Sequence, residues 1–483
     1  MKATVSRRQF LNTSVSALVG RVVLADRGFA APLLWQQLET AAPQTTVLRA
    51  TKRTLDINGK AANVLGLLQP NGSQGMSCVA DELFNVRLNN ELPVPTAIHW
   101  HGLHPPNNED GVPGVTQPVL RAGAADFYNF PVRPAGTHWM HSHQGFQEVQ
   151  LLAAPLIVHD PTDRARDEQE VVIMLSDFSF TPPDEIYSKL RQGLRKGAAS
   201  AMNGAMSKPD ANDVDYDAYL ANDRTLRDPE VVKVEKGGRV RLRIINGGSG
   251  TNFFIDLGSL TGELIATDGI PVQPTQRKRF PLAIAQRMDV IVHIPDEGGA
   301  FPILALRELA TEQTGIILAT AGTPIPKLPE KGSSPTGLLN LDLERELTAV
   351  NPLSPRPADV TSVLNLQGNM GRYEWMMNDV AFDVEHPGKE KAQVHVKYGQ
   401  RAAIRFVNQT PMSHPMHLHG HAFEVVAIND RRFTGALRDT LLVPGKTNVT
   451  VEFDANNPGL WYLHCHILWH LAAGMAALVQ YDA

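Results

Sequence analysis

Ten of the 17 histidines in this 483-residue chain fall into four short clusters, and each cluster contains the spacing His-x-His. Alternate residues of a β-strand face the same side, so each pair can direct two imidazoles into one site. Neutral imidazole is a ligand for copper, zinc, iron and nickel. The spacing therefore predicts one group of eight imidazoles, contributed by His99, His101, His141, His143, His417, His419, His464 and His466.

Cys465 lies between the two histidines of the last pair, so it faces the opposite side of its predicted strand. On that side it can meet His470, five residues later, and His414 from the third cluster. Met475 follows ten residues after the cysteine and can serve as a weak axial ligand. One thiolate, two imidazoles and a long axial thioether form a blue-copper electron-transfer site. The other cysteine, Cys78, is interpreted as a small buried side chain.

Strand-like segments separated by turn residues dominate the chain, which contains 38 glycines and 34 prolines. A strand pattern that closes with Arg-x-x-Asn occurs three times and ends at Asn90, Asn246 and Asn408. The spacing of 156 and then 162 residues matches a domain rather than a solenoid repeat. The sequence therefore predicts an all-β chain of three tandem domains, each a small sandwich or barrel.

Two stretches rich in charged or turn-forming residues, 161–170 and 322–357, are predicted to link the domains. A further stretch, 177–212, is interpreted as an inserted loop or short helix. Histidine clusters follow the first and third copies of the repeat, so the imidazoles are expected to meet between the outer domains. The middle domain is predicted to be structural or to shape a substrate cleft. The predicted domains are residues 45–160, 171–321 and 358–483.

The N-terminal segment Ser6-Arg7-Arg8-Gln9-Phe10-Leu11 and the small residues before Pro32 resemble a bacterial twin-arginine signal peptide over residues 1–31. Arg21 interrupts the apolar run that follows, which is too short to span a bilayer. The resemblance implies that the twin-arginine export machinery is a partner and that the mature protein is periplasmic or secreted. The alternative is an ordinary basic terminus with a chance Arg-Arg pair.

The composition excludes several classes of protein. A net charge of −5 gives no argument for binding nucleic acid or an anionic membrane surface. With 43% hydrophobic and 20% charged residues, the chain is typical of a soluble globular protein, and we expect no stable membrane insertion. Two cysteines allow at most one disulfide, which excludes a disulfide scaffold.

With their neighbours, the four clusters resemble the motifs of the multicopper oxidases, in particular the three-domain, laccase-like bacterial branch. The resemblance spans the chain from residue 45 to its end. It implies three cupredoxin-like domains of the Greek-key type and four copper ions, namely one type 1, one type 2 and two type 3 ions. The matching motifs are His99-Trp100-His101-Gly102, Trp139-Met140-His141-Ser142-His143, His414-Pro415-Met416-His417-Leu418-His419-Gly420 and His464-Cys465-His466-x-x-x-His470-x-x-x-Gly474-Met475.

The resemblance also implies a role for each ligand. It places the type 1 copper on His414, Cys465 and His470, with Met475 as the axial ligand. It places the type 2 copper on two histidines, one from each outer domain, and the type 3 pair on the other six. The type 2 ligands are His99 and His417, and the type 3 ligands are His101, His141, His143, His419, His464 and His466.

By the same resemblance, the protein oxidises a small reducing substrate, such as a phenol or an aromatic amine, and reduces dioxygen to water. Family members use an acidic residue nine positions after the second histidine of His-Trp-His to deliver protons, and here that residue is Asp110. An Asp before a glycine is also a common turn residue. Where relatives carry a second acid after the cysteine, this chain has Leu468 and Leu471, so a second proton route is unassigned.

Other functions are weighed against this one. A cuprous oxidase would need thioethers near the type 1 site, and a protein on this fold can also be a copper-free envelope scaffold or a copper-sequestering protein. The complete ligand set favours the oxidase. Acidic residues in 213–217 and Asp223 can orient a phenol or an amine, or can form a solvated loop. The candidate methionines are Met202, Met206, Met370, Met376, Met377, Met412 and Met416.

Overall fold

The computed structural model describes residues 45–163, 166–193 and 212–483. The predicted signal peptide at residues 1–31 and two candidate methionines, Met202 and Met206, lie outside the described residues. Across the described ranges, every helix falls short of the length and apolar character that a membrane span requires.

The first part of the described chain folds into two four-stranded sheets. Their strands are β1 (Thr46–Ile57), β2 (Lys60–Leu68), β3 (Met76–Val79), β4 (Val86–Asn90), β5 (Ile98–His101), β6 (Ala125–Tyr128), β7 (Gly136–Ser142) and β8 (Ala153–His159). One sheet has the strand order β2-β1-β4-β6 and the other has the order β3-β8-β7-β5. Apolar side chains from both sheets form a single core cluster.

The middle part forms a six-stranded and a five-stranded sheet. Its elements are β9 (Gln169–Phe178), helix α1 (Pro183–Arg191), β10 (Ala218–Ala221), β11 (Val231–Lys233), β12 (Arg239–Asn246), β13 (Phe253–Asp256), β14 (Gly262–Thr267), β15 (Ile270–Arg277), β16 (Arg279–Leu282), β17 (Arg287–His293), β18 (Ala300–Arg307) and β19 (Gln313–Ala319). The strand orders are β10-β9-β12-β17-β14-β15 and β11-β19-β18-β13-β16. Helix α1 lies within the stretch interpreted as an insertion.

The last part forms a seven-stranded and a five-stranded sheet. Its elements are β20 (Val360–Asn369), β21 (Glu374–Met377), β22 (Val394–Val396), β23 (Arg401–Asn408), β24 (His414–Leu418), β25 (Phe423–Ile428), β26 (Arg431–Arg432), β27 (Leu437–Arg438), β28 (Thr440–Val443), β29 (Asn448–Asp454), β30 (Leu460–Cys465), helix α2 (Leu468–Ala472) and β31 (Ala476–Tyr481). The strand orders are β21-β20-β23-β29-β25-β26, with β27 paired to β25, and β22-β31-β30-β24-β28.

The three pairs of sheets share one connectivity. In one sheet of each pair, β1, β9 and β20 run parallel to the repeat strands β4, β12 and β23. In the other sheets, β3, β11 and β22 run parallel to β8, β19 and β31. The predicted all-β fold is confirmed: between the sheets the described residues contain only the two short α-helices α1 and α2 and brief 3-10 turns.

The three repeat asparagines make equivalent side-chain hydrogen bonds at the ends of their strands. Asn90, Asn246 and Asn408 are each buried, and each donates hydrogen bonds from its side-chain amide to at least two backbone carbonyls that belong to different loops or strands. One amide therefore ties the end of the repeat strand to the segment that follows it and to a more distant one. The acceptors are Val94 and Leu120, Thr251 and Leu282, and Met412 and Val443.

Candidate metal centres

Cys465 is the centre of a buried group of one thiol and two imidazoles. Its Sγ lies 3.7 Å from Nδ1 of His414 and 3.7 Å from Nδ1 of His470, and the two Nδ1 atoms are 3.1 Å apart. Strand β24 begins at His414, strand β30 ends at Cys465, and helix α2 carries His470. The structure thus brings together the three residues that the sequence predicts for this group.

The surroundings of this group are apolar. Met475 directly precedes β31, is fully buried, and accepts the backbone N–H of Cys465 on its carbonyl oxygen at 3.0 Å. Both side chains belong to one core cluster with Trp375, whose ring centroid is 3.9 Å from that of His470. Burial raises the pKa of the Cys465 thiol, so a cation that binds there must displace its proton.

The outer nitrogens of both imidazoles are covered by polar partners. Nε2 of His414 is 2.8 Å from the hydroxyl of Thr410, and Nε2 of His470 is 2.7 Å from a carboxylate oxygen of Asp213. The hydroxyl of Tyr373 donates to the same oxygen at 2.6 Å. The laccase-like interpretation needs an open rim beside one of these rings. In the structure both rings are buried, and Asp213 from the middle part of the chain covers Nε2 of His470.

Eight histidines from the first and last sheet pairs meet in a second buried group. In three pairs, ring nitrogens of different clusters face each other within 3.5 Å. The other two imidazoles lie against rings of the group at centroid distances of 5.0 and 5.3 Å. The facing pairs are His99 with His417, His101 with His141, and His419 with His464; the other two are His143 and His466.

Strand pairing explains why the two groups are separate although they share a strand. Strands β24 and β30 run antiparallel, with His417 opposite His464 and Met416 opposite Cys465. Successive residues of a strand face opposite sides, so His464 turns towards the other imidazoles of the group and Cys465 turns into its own pair of sheets. In the first sheet pair, β5 and β7 place His99 opposite another histidine of the group in the same way.

The second group fits a metal cluster. Among the described residues, Nε2 of His143 and Nε2 of His466 are buried without a hydrogen-bond partner, which is unusual for polar atoms unless they bind an ion. Burial and repulsion between neighbouring imidazoles hold the pKa of His141, His143 and His466 well below the ordinary value. These rings are neutral at pH 7, the form that binds copper. The nitrogens also lie close enough together to share ions.

Asp110 holds two histidines of this group from outside. It directly follows a one-turn 3-10 helix at Asn107–Glu109 and is fully buried. Its Oδ2 is 2.9 Å from Nδ1 of His419, and its backbone carbonyl oxygen is 2.8 Å from Nδ1 of His99. Asp110 therefore contacts histidines from both outer sheet pairs, at the position that the sequence indicates.

Two further buried carboxylates at this group were missed in the sequence. Oε2 of Glu148 lies 2.6 Å from Nδ1 of His141, and burial raises the pKa of this carboxyl well above its usual range. Oδ1 of Asp439 lies 3.1 Å from Nε2 of His101. Burial alone would raise the pKa of Asp439, but the Arg287 guanidinium holds it well below its usual range.

The sequence contains a signal for the first of these two carboxylates but not for the second. Glu148 is an acid beside the second histidine cluster and next to the apolar segment 151–154, so its position was a usable hint. Asp439 is 338 residues from the histidine it contacts, and nothing in the spacing points to it. The two cysteines are both free, and Cys78 is half-buried on β3.

The fold and these two groups together define a class of protein. Imidazole and thiolate donors of this kind suit copper, and a thiolate site one residue away from a histidine cluster suits electron transfer. The protein is a copper-dependent oxidoreductase on a cupredoxin-like all-β fold. Sequence profiles of the multicopper oxidases match residues 72–163, 169–322 and 355–483. The chain belongs to the multicopper oxidase family.

Individual relatives agree with this assignment. The chain is 31% identical to multicopper oxidase MmcO of Mycobacterium tuberculosis, over 99% of this chain and 97% of that protein. It is 26% identical to laccase-3 of Thanatephorus cucumeris, over 88% and 90%. It is 25% identical to a copper resistance protein A homolog of Pseudomonas syringae pv. tomato, over the whole of both chains. The crystal structure of the multicopper oxidase Fet3p has the same fold, with a TM-score of 0.76, 20% identity and coverage of 91% and 90%.

Proposed function

We propose that the protein oxidises a small phenol or aromatic amine by one electron at a time, and that four such electrons and four protons reduce one dioxygen to two waters. The observation that carries this proposal is the position of Cys465. Its Sγ faces His414 and His470, while its chain neighbours His464 and His466 belong to the eight-imidazole group. A short path of covalent bonds therefore connects the two groups.

The donor sets support a specific assignment of four copper ions. Cys465, His414, His470 and Met475 would hold the type 1 ion. His99 would share the type 2 ion with His417, and the other six histidines would hold the type 3 pair. When bound, copper supplies one-electron redox chemistry and the reduction of dioxygen, which side chains alone do not provide. The type 3 ligands are His101, His141, His143, His419, His464 and His466.

The chain's own residues orient the ligands and handle protons. A partner on the outer nitrogen of an imidazole sets the tautomer and directs the other nitrogen inward. Thr410 and Asp213 do this at the thiolate group. Asp110 does it at the imidazole group, where its carboxylate contacts His419 and its backbone carbonyl contacts His99. We assign to its buried carboxylate the delivery of protons for dioxygen reduction.

Oxygen uptake by the copper-loaded protein with a panel of donors tests the proposal. The panel contains phenols, aromatic amines, cuprous ion and bilirubin, each under air. We expect a blue protein that consumes oxygen with phenols or aromatic amines. Copper binding without oxygen uptake would indicate sequestration, and a colourless protein without uptake would indicate a scaffold; either result would overturn the proposal.

Cuprous-ion oxidation is the second candidate function. The copper resistance protein A homolog matches over the whole chain, and Met412 and Met416 are buried in the same core cluster as Cys465. Thioethers are the ligands that cuprous ion prefers. If cuprous ion alone drives oxygen uptake in the panel, the phenol assignment fails and this candidate replaces it.

Replacing Asp213 by asparagine is expected to lower kcat/KM for phenols by about tenfold, because a charge-assisted hydrogen bond contributes about 1.5–3 kcal/mol. The lost bond is the one from His470 Nε2 to the carboxylate. Steady-state oxygen uptake measures the effect. The matched control is Asp215→Asn, two residues away, where an exposed carboxylate pairs with Arg307. Equal rates for the wild-type protein and Asp213→Asn would contradict a role for this carboxylate.

The organisation of the chain is part of the same proposal. We assign cupredoxin-like domains to residues 45–160, 171–321 and 358–483, and a twin-arginine signal to residues 1–31, which makes the mature protein periplasmic or secreted. Replacing both Arg7 and Arg8 by lysine is expected to keep the full chain in the cytoplasm of a bacterial host, because the signal requires the arginine pair. Cell fractionation measures this, and undiminished export of the double variant would refute the signal assignment.

A further inference from the structure

Arg287, at the start of β17 in the middle sheet pair, is a fully buried arginine beside the eight-imidazole group. Its two terminal nitrogens bind the two carboxylate oxygens of Asp439, one of them at 2.7 Å. The same guanidinium donates to three backbone carbonyls, those of Thr137, Ala285 and Asp268, at 3.0–3.1 Å. All five N–H groups of an arginine are thereby used, so the guanidinium has one orientation.

Asp439 transmits this orientation to two histidines. Its Oδ1 is 3.1 Å from Nε2 of His101, and its backbone carbonyl is 2.9 Å from Nδ1 of His417. The hydroxyl of Thr440 donates to the same Oδ1 at 2.8 Å. It also lies 3.1 Å from Nε2 of His101 and 3.1 Å from Nδ1 of His417. The two rings are stacked, with centroids 3.7 Å apart and planes inclined by 16°. One carboxylate and its neighbour therefore set both rings.

The inner nitrogens of these two rings point into the group as a consequence. With Nε2 bound to Asp439, His101 presents Nδ1, which lies 3.4 Å from Nε2 of His141. With Nδ1 bound to the Asp439 carbonyl, His417 presents Nε2, which lies 3.5 Å from Nε2 of His99. The outer partner thus decides which nitrogen each ring offers to an ion.

The space around the guanidinium is closed. Gly102 follows His101 with a φ of +94°, and a Cβ at this glycine would lie 2.5 Å from a terminal nitrogen of Arg287 and 3.1 Å from Oδ2 of Asp439. Only glycine leaves room for the arginine and the carboxylate to meet behind the first histidine pair. The need for a glycine at position 102, directly after His101, therefore arises from a side chain that belongs to a different sheet pair.

We propose that Arg287 is a positioning residue for the eight-imidazole centre. The middle sheet pair supplies none of the eight histidines, but through Arg287 it sets the geometry of that centre. Arg287 binds both carboxylate oxygens of Asp439, and Asp439 fixes the tautomer and ring plane of His101. Lysine cannot replace it, because an ammonium group has no two-pronged geometry. The inference rests on the proposed function, since the centre it tunes is the one assigned to type 2 and type 3 copper.

The test compares Arg287→Lys with Arg243→Lys in the full copper-loaded chain. Arg243 is an equally buried arginine on β12 whose described hydrogen bonds go to Thr137, Asp289 and Glu170, so its loss perturbs the same neighbourhood without touching Asp439. Three readouts are recorded: copper retained per chain against a chelator, the electron paramagnetic resonance spectrum of the type 2 copper, and the blue absorption. Thermal unfolding monitors the fold.

We expect Arg287→Lys to weaken copper retention at the imidazole centre by about 10- to 100-fold, the usual cost of losing an outer partner of a metal ligand. The type 2 resonance should change, and the blue absorption per chain should stay. Arg243→Lys should lower thermal stability by a similar amount and leave both copper signals as in the wild type. A protein without blue absorption in its wild-type form would instead refute the proposed function.

Equal copper loss in the two arginine variants would overturn the proposal, because it would make Arg287 a structural residue only. Asp439→Asn, which keeps the shape of the side chain, serves as the second variant if Arg287→Lys does not fold. It should change the same resonance, and an unchanged spectrum would overturn the proposal. Where both variants fold, the double variant should lose no more copper than Arg287→Lys alone, since residues that act through one another are not additive. Additive losses would contradict the proposed link.

Discussion

Cys465→Ser is expected to abolish both the blue absorption and the oxidation of every donor, while the fold survives. Sγ of Cys465 lies 3.7 Å from Nδ1 of His414 and 3.7 Å from Nδ1 of His470. A serine hydroxyl of nearly the same size does not replace a thiolate as a copper ligand. The blue absorption and oxygen uptake measure the loss, and circular dichroism measures the fold. The eight imidazoles should still bind copper in this variant.

The other cysteine provides the control. Cys78→Ser changes a half-buried thiol on β3 that lies outside the four histidine clusters, and burial raises the pKa of that thiol to about 12. Colour and activity should be those of the wild type. A blue, active Cys465→Ser protein would refute the type 1 assignment and, with it, the covalent connection between the two groups.

Asp110→Asn is expected to slow dioxygen reduction by about a hundredfold, since a positioned acid or base contributes about 10²–10⁴ to a rate. An amide has the same shape as the carboxylate but cannot pass a proton in the same way, and this carboxylate contacts His419 at 2.9 Å. Bleaching of the blue absorption by a donor without oxygen should keep its wild-type rate. Stopped-flow mixing of the bleached protein with oxygen measures the slow return of the colour.

Glu109 provides the matched control for this prediction. It is the preceding acid in the chain, and its carboxylate accepts the backbone N–H of Asn129 at 2.8 Å rather than contacting a histidine of the group. Glu109→Gln should leave both half-reactions unchanged. If Asp110→Asn slows bleaching and colour return by the same factor, the residue supports the structure of the site and the proton role is wrong.

The sequence alone was sufficient for the fold class and the family. The fold class follows from local rules: strand alternation turns His-x-His spacing into a shared face, and the recurrence of Arg-x-x-Asn marks a repeated unit. The family follows from the resemblance of the four histidine motifs to those of the multicopper oxidases. The predicted all-β fold and membership of the multicopper oxidases are confirmed. The same alternation predicted that Cys465 would turn away from the imidazoles on either side of it, and its Sγ lies beside His414 and His470. The copper types assigned to these residues stay a prediction.

The tertiary structure alone decided which residues from distant parts of the chain surround the ligands. Asp439 meets a histidine 338 residues away, Asp213 meets one 257 residues away, and Arg287 enters from a sheet pair without any of the eight imidazoles. Glu148, by contrast, is close in sequence to the histidine it contacts but has no periodic spacing. Ligand spacing is a short-range property of a strand, which the chain order records directly. The outer partners depend on how three pairs of sheets pack, and packing brings together residues whose order in the chain carries no such signal.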